Sequence, residues 1–429
     1  MILKRICIFL IFKIILFKIK CQKLLKIPFK TIYNTTEINI NNLIPILYKS
    51  KIGTILKLGT PETEFKLSIS LQSYYSYIIS SDSDVKMDNL FNKKQSNTYE
   101  IIKNFQFYSL EPFYSGEFGL DYFKINNLNL NKTYFFVAKA IHNQYEDEII
   151  TPATLGLRLR EEIPMQDFPN MTFLNQLEEK KIINNFIFYF NFNKKDEGEL
   201  IFGENPYKDP NFKFIKAGKF QIGYIGLDWG FNFDNIYFGN ITLNGEIDAK
   251  IKIEQNFIVG NTIFFDSIKN FFDNHNCQFK DGYIERYQII KYYVCDSNTN
   301  FKDFKPLIFE IKEKNLSFVF NYKDLFFEYD KKLFFNVIFT KNRKDWVLGR
   351  VFLKKYQLYF DKDKKTIGYY EKKTDNTKIL IILLIIIIIL LTSIIILSYR
   401  KKRNKKISIE LNDEYDYIQN NIVKINTNT

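Results

Sequence analysis

Residues 379–397 contain nineteen consecutive residues, almost all Ile and Leu, without one charged side chain. At about 1.5 Å of helical rise per residue, that length matches a hydrocarbon core about 30 Å thick, so the run reads as a transmembrane helix. Arg400, Lys401, Lys402, Arg403, Lys405 and Lys406 follow at once. A basic cluster marks the cytosolic flank, which puts everything before residue 379 on the lumenal or extracellular side. At the other end, residues 1–21 have a basic start at Lys4 and Arg5 and an apolar stretch interrupted by Lys13, the form of a signal peptide. The same residues also allow an uncleaved anchor, since no small residues precede a cut after Cys21. The expected layout is a single-pass type I membrane protein of the secretory pathway or cell surface.

The net charge of +13 does not describe the folded part. Residues 1–21 hold five Lys/Arg and no acid, and residues 400–429 hold seven bases against four acids, leaving 49 bases against 44 acids elsewhere. No broad basic face is implied, and no nucleic-acid partner is expected. With 46% hydrophobic and 17% aromatic residues the chain can fill two packed domains.

Outside the leader only Cys277 and Cys295 remain. In an oxidising compartment they can close one disulfide, or they can stay as two buried thiols. Sequons at Asn34, Asn131, Asn170, Asn240 and Asn315 permit glycosylation on the lumenal side. Two histidines, His142 and His275, and the absence of Cys-x-x-Cys, His-Glu-x-x-His and a phosphate-binding glycine loop leave metal, thiol and nucleotide chemistry without motif support. No metal or cofactor is expected.

Most segments read as strands. Residues 51–58 and 65–71 flank Gly59-Thr60-Pro61-Glu62, a turn in which Pro presets φ and Gly permits the reversal, so a hairpin is expected. Strand patterns recur at 186–192, 199–202, 231–238, 288–295 and 307–311, while helical spacing is confined to 173–181 and 266–273. Thr154-Leu-Gly-Leu-Arg158 and Val347-Leu-Gly-Arg-Val351 form a weak internal repeat, each an apolar strand ending in a Gly that lets another backbone approach.

In order, Leu58-Gly-Thr-Pro-Glu-Thr-Glu-Phe65, Gly198-Glu-Leu-Ile-Phe-Gly203, Tyr292-Tyr-Val-Cys295, Pro306-Leu-Ile-Phe-Glu-Ile311 and the closing stretch from Trp346 to Tyr370 resemble segments of the pepsin-like aspartic peptidases. The resemblance covers about residues 45–370. It implies a mainly β, bilobal fold with an interlobe cleft that takes a peptide or protein ligand, with lobes over 45–215 and 216–370. A stalk over 371–378, the membrane helix and a cytoplasmic tail over 398–429 complete the layout. It also implies that Cys277 and Cys295 are paired, and it places a flap tyrosine at Tyr108 with Ser115 to Asp121 as the returning strand. Arg350 falls where the family often has an acid.

Catalysis in that family needs two carboxylates sharing one proton, because adjacent like charges cannot both ionise. The chain contains no Asp-Thr-Gly or Asp-Ser-Gly. Counting from Leu58-Gly-Thr-Pro, the first aspartate position falls on Ser70, with Asp82 and Asp84 a full strand too late. Taking Gly260-Asn261-Thr262 as the second motif's Gly-Thr-Ser puts Ile258 at the other aspartate position, and a two-residue shift puts Gly260 there. A rival register starts the motif at Asp266 and keeps one acid. The expectation is a catalytically inactive pseudoprotease; the alternative is an active aspartic endopeptidase with an unusual dyad. In sealed microsomes added protease should trim only the short tail after the basic cluster; digestion of the folded ectodomain would overturn the orientation.

Overall fold

The computed structural model describes residues 24–32, 37–106, 113–126, 128–141, 151–159, 171–194, 197–203, 212–216, 219–222, 224–284, 288–299, 304–340 and 345–370, with short helical pieces between 386 and 400. The described residues up to 370 form one compact unit. Among the described residues beyond it, no helix is long and apolar enough to cross a membrane. Residues 1–21, expected as a leader, residues 371–378, expected as a stalk, residues 401–429 of the expected tail, Tyr108, His142, Asn34 and Asn170 lie outside the described residues.

The first half of the unit is built from β1 (Leu25–Ile32), helix α1 (Leu43–Lys49), β2 (Lys51–Leu58), β3 (Thr63–Ser70), β4 (Tyr77–Ile79), β5 (Glu100–Gln106), β6 (Phe113–Ile125), β7 (Leu128–Ile141), β8 (Ala153–Gly156), helix α2 (Phe173–Glu179), β9 (Ile187–Lys194) and β10 (Glu197–Phe202). The expected hairpin is present, with Leu58 opposite Thr63 in the β2–β3 ladder. Strand β2 also pairs β6, so β2, β3, β8, β4, β7 and β6 close on themselves as a barrel. Short β-rich pieces with alternating burial need such closure, because it buries one face and removes free edges.

The connecting strands β11 (Phe212–Lys216), β12 (Lys219–Ile222) and β13 (Tyr224–Leu227) lead to the second half. There β14 (Gly230–Phe238), β15 (Ile241–Ile251), β16 (Ile258–Gly260), helix α3 (Thr262–Asn274), β17 (Gln278–Ile284), β18 (Gln288–Asp296), β19 (Leu307–Ile311), β20 (Leu316–Phe320), helix α4 (Tyr322–Leu325), β21 (Phe326–Tyr329), β22 (Lys332–Phe335), β23 (Val337–Thr340) and β24 (Trp346–Leu348) contribute one eleven-stranded sheet. Helix α5 (Arg350–Lys355), β25 (Tyr359–Asp361) and β26 (Thr366–Tyr370) end the unit. The last two strands do not stay with that sheet: β25 pairs β9 of the first half and β26 pairs the connecting strand β11. The molecule is mainly β and bilobal. Phe188 stacks on Phe360 at 4.9 Å and meets Trp229 edge-on at 5.8 Å in the layer that the two halves share.

Helix α3 starts earlier than its apolar spacing suggested. Asn261 caps it by accepting from the Phe264 N–H at 2.8 Å, and Phe264, Ile268 and Phe272, four residues apart, bury one face. Cys277, just beyond its end, is bonded to Cys295 on β18. Helix α2 is held to β7 by the Gln176 amide, which accepts from Tyr134 N at 2.6 Å and donates to Tyr134 O at 2.9 Å. The three described sequon asparagines, Asn131, Asn240 and Asn315, are exposed. Asn131 and Asn315 adopt φ of +54° and +47°, a turn conformation that asparagine tolerates.

A buried charge braces the first barrel. Glu117 on β6 accepts from Lys93 Nζ at 3.0 Å, from Lys139 Nζ at 2.5 Å and from the Tyr99 hydroxyl at 2.8 Å. Burial pushes its carboxyl up, but the three donors outweigh that and hold it below the ordinary carboxylate range. Such a group adds stability above its unfolded pKa, and that stability is lost as pH falls through the folded value. Glu117→Gln should therefore cost about 3 kcal/mol at neutral pH by leaving two lysines without their counter-charge. In urea unfolding the gap from wild type should close on acidification below about pH 4.

Candidate functional site

The two halves repeat one strand arrangement around a common point. In the first, β3 runs parallel to β8, β8 antiparallel to β4, and β4 parallel to β7. In the second, β15 runs parallel to β24, β24 antiparallel to β16, and β16 parallel to β23. The first central strand ends in Leu155-Gly156 and the second in Leu348 with Gly349 next, as the sequence repeat indicated. A Cβ on Gly156 would lie 2.4 Å from Tyr75 O, and one on Gly349 would lie 2.2 Å from Phe257 O. Only glycine lets the turn after β3 and the turn after β15 pass this close.

That register fixes which residues form the floor. Ile69 lies opposite Leu155 and Ser70 opposite Gly156 in the first half; Ile251 lies opposite Leu348 in the second. The residue matching Ser70 is therefore Lys252, whose N–H donates to Leu348 O at 3.1 Å. Ser70-Leu71-Gln72 is matched by Lys252-Ile253-Glu254. This corrects the placement of the second turn at Ile258 or Gly260. Both lie inside β16, where Ile258 pairs Val337 and Gly260 pairs Phe339, and Asn261 after them serves as the helix cap. The rival Asp266 sits on the exposed side of α3, away from any strand end. Asp82 is hydrogen-bonded by the Ser80 hydroxyl beyond β4, outside the turn.

Glu254 was not identified from the sequence, and it is the acid of the floor. Its Oε1 accepts the Ser70 hydroxyl hydrogen bond from the other half and the Gln72 N–H at 3.2 Å. Ser70 Oγ in turn accepts from Gln72 N at 3.0 Å and from Ser73 N at 2.9 Å. Leu71 and Ile253 are fully buried. Alternation places Ile251 and Ile253 inward, and leaves Lys252 and Glu254 half-buried on the other side. The available signal was the run Ala249-Lys-Ile-Lys-Ile-Glu254, an alternating strand end ahead of Gly260.

Behind the floor, charges are paired. Arg158 grips Asp228 through Nε at 2.7 Å and Nη2 at 3.3 Å, and Lys250 lies 3.6 Å from the same carboxylate. Burial pushes the Lys250 ammonium down, with Asp228 offsetting part of the shift. Arg350 is fully buried and donates to Ser50 O at 3.1 Å, Ser50 Oγ at 2.7 Å and Ile253 O at 3.3 Å. Its backbone N–H donates to Gln255 O at 2.7 Å, so one residue holds the second turn from two directions. Among the described residues no cluster of His, Cys, Asp and Glu could hold a metal ion.

The eukaryotic aspartyl protease family model matches residues 51–372. The chain belongs to this family. No curated protein matches it. The duplicated strand crossing, the paired Cys277 and Cys295 and the two turns carrying Ser70 and Lys252 all lie within the matched residues. Because the frame depends on backbone contact at the glycines, Gly349→Ala should destabilise by about 3 kcal/mol through overpacking, seen as a lower urea midpoint with an unchanged slope. Wild-type stability in that variant would contradict the close approach.

Proposed function

We propose that the protein is a membrane-anchored, catalytically inactive member of the family that binds a peptide or protein partner in its interlobe cleft. The observation that carries this reading is the identity of the two floor positions, a hydroxyl at Ser70 and an ammonium at Lys252. Peptide hydrolysis in this frame needs one carboxylate to take a proton from water while its neighbour gives one to the carbonyl oxygen. Neither Ser70 nor Lys252 does the first, and Glu254 is engaged by Ser70 and the Gln72 N–H. The ligand side keeps its support, because both turns and the strands behind them retain the family arrangement. Membrane anchoring rests on the charge-free run at 379–397 and the basic cluster after it.

The competing reading, an active endopeptidase with an unusual dyad, has Glu254 as its available acid. The two separate in one assay. Full-length protein in detergent should leave a diverse peptide library uncut from about pH 3 to 7, with or without an aspartic-peptidase inhibitor, while retaining extended peptides on a binding column. Inhibitor-sensitive cleavage that disappears in Glu254→Gln would establish the enzyme instead.

A further inference from the structure

The contact between Ser70 and Glu254 joins residues 184 apart in sequence that belong to different halves of the molecule. It is not an isolated bond. Gln72, two residues on, donates through its backbone to Glu254 at 3.2 Å and through its side-chain Nε2 to Ile251 O at 3.3 Å, both across the same gap. Ser70 is 5% exposed, and Glu254 Oε2 is buried without a hydrogen-bond partner among the described residues. With that oxygen enclosed, the carboxyl is met through the other, where the Ser70 hydroxyl and the Gln72 N–H both donate. Hydrogen bonds to an ionised acceptor are also the stronger kind. Two further crossings lie behind this one: the bidentate Arg158–Asp228 pair and the Trp229 indole N–H on Leu157 O at 2.8 Å.

We propose that Ser70, Gln72 and Glu254 form a clasp that ties the two lobes together at the cleft floor and holds the cleft at one width. Lobes within a chain ordinarily move relative to each other unless the interface between them is extensive. Here a charge-assisted bond in front and a bidentate ion pair behind resist rotation about the shared sheet. A ligand then meets a preformed slot and binds without lobe closure. The clasp stands whether or not a peptide is the ligand, because it concerns the chain's own contacts.

The test uses the full-length chain in detergent with Cys7→Ser and Cys21→Ser, and spin labels at the exposed positions Lys94→Cys and Lys314→Cys, one in each lobe. Pulsed dipolar spectroscopy should give one narrow interlobe distance, and Glu254→Ala should broaden it. Hydrogen exchange should report the same break locally: Glu254→Ala, although in the other lobe, should speed exchange of the Gln72 amide about tenfold, while the disulfide-linked β17–β18 hairpin stays as protected as in wild type. Glu254→Gln keeps an acceptor oxygen for Ser70 and should fall between. A broad or two-peaked distance with the clasp intact would overturn the proposal without any variant having to fold. Unchanged distance and unchanged exchange in a folded Glu254→Ala would overturn it equally. Loss of peptide binding alone would bear only on the function proposed above.

Discussion

The parallel pairing of β3 with β8 and of β15 with β24 sets everything else in place. Each pairing threads one strand between two others, and the thread passes only because Gly156 and Gly349 present no Cβ to the turns beside them. From that crossing follow the burial of Leu155 and Leu348, the inward set of Leu71 and Ile253, and the outward set of the floor residues. The chemistry at the floor can change widely under this constraint, because the side chains there point away from the backbone contacts that define the fold.

The fold was legible where a local signal and the tertiary register agree. The turn at 59–62 and the strands at 307–311 and 288–295 carry their own punctuation, and the Leu-Gly repeat marked both threaded strands. The second floor turn was not legible for a physical reason. Gly260-Asn261-Thr262 looks like a motif, but an Asn before a run of Phe264, Phe265 and Ile268 is better explained as a helix cap over a buried stripe. The true turn contains Lys252 and Glu254 between buried isoleucines, which in sequence reads as the alternation of an ordinary strand end. Its identity depends on a pairing partner almost a hundred residues later, and period-2 patterning carries no such information. The pairing of β25 with β9 and of β26 with β11 was hidden for the same reason.

Buried charge is distributed with the same logic. Glu117, Asp228 and Arg350 are all out of solvent, and each is met by several partners drawn from separate elements. Desolvation penalises such groups individually, and only multiple hydrogen bonds in fixed geometry offset it. Arg350 is instructive because it stands where the resemblance led to an acid. Its guanidinium reaches Ser50 and the Ile253 carbonyl, so the reversed sign is accommodated by acceptors at the junction of α1 with β2 and on the second turn.

The floor follows from that accommodation. Two carboxylates held side by side repel unless one keeps a proton, a cost that a catalytic site bears for its chemistry. On the proposed reading neither position carries an acid, Ser70 standing at one and Lys252 at the other, so that repulsion is absent; the Ser70 hydroxyl also supplies a donor, which Glu254 at the second turn's third position takes from across the cleft. With Leu71 and Ile253 filling the space beneath, the strain that a reactive pair imposes is exchanged for ordinary packing and one charge-assisted bond. On the proposed reading, absence of the dyad and presence of the cross-lobe contact go together, since the Ser70 hydroxyl joins the Gln72 N–H in meeting Glu254 and an acid at that position would not donate to it.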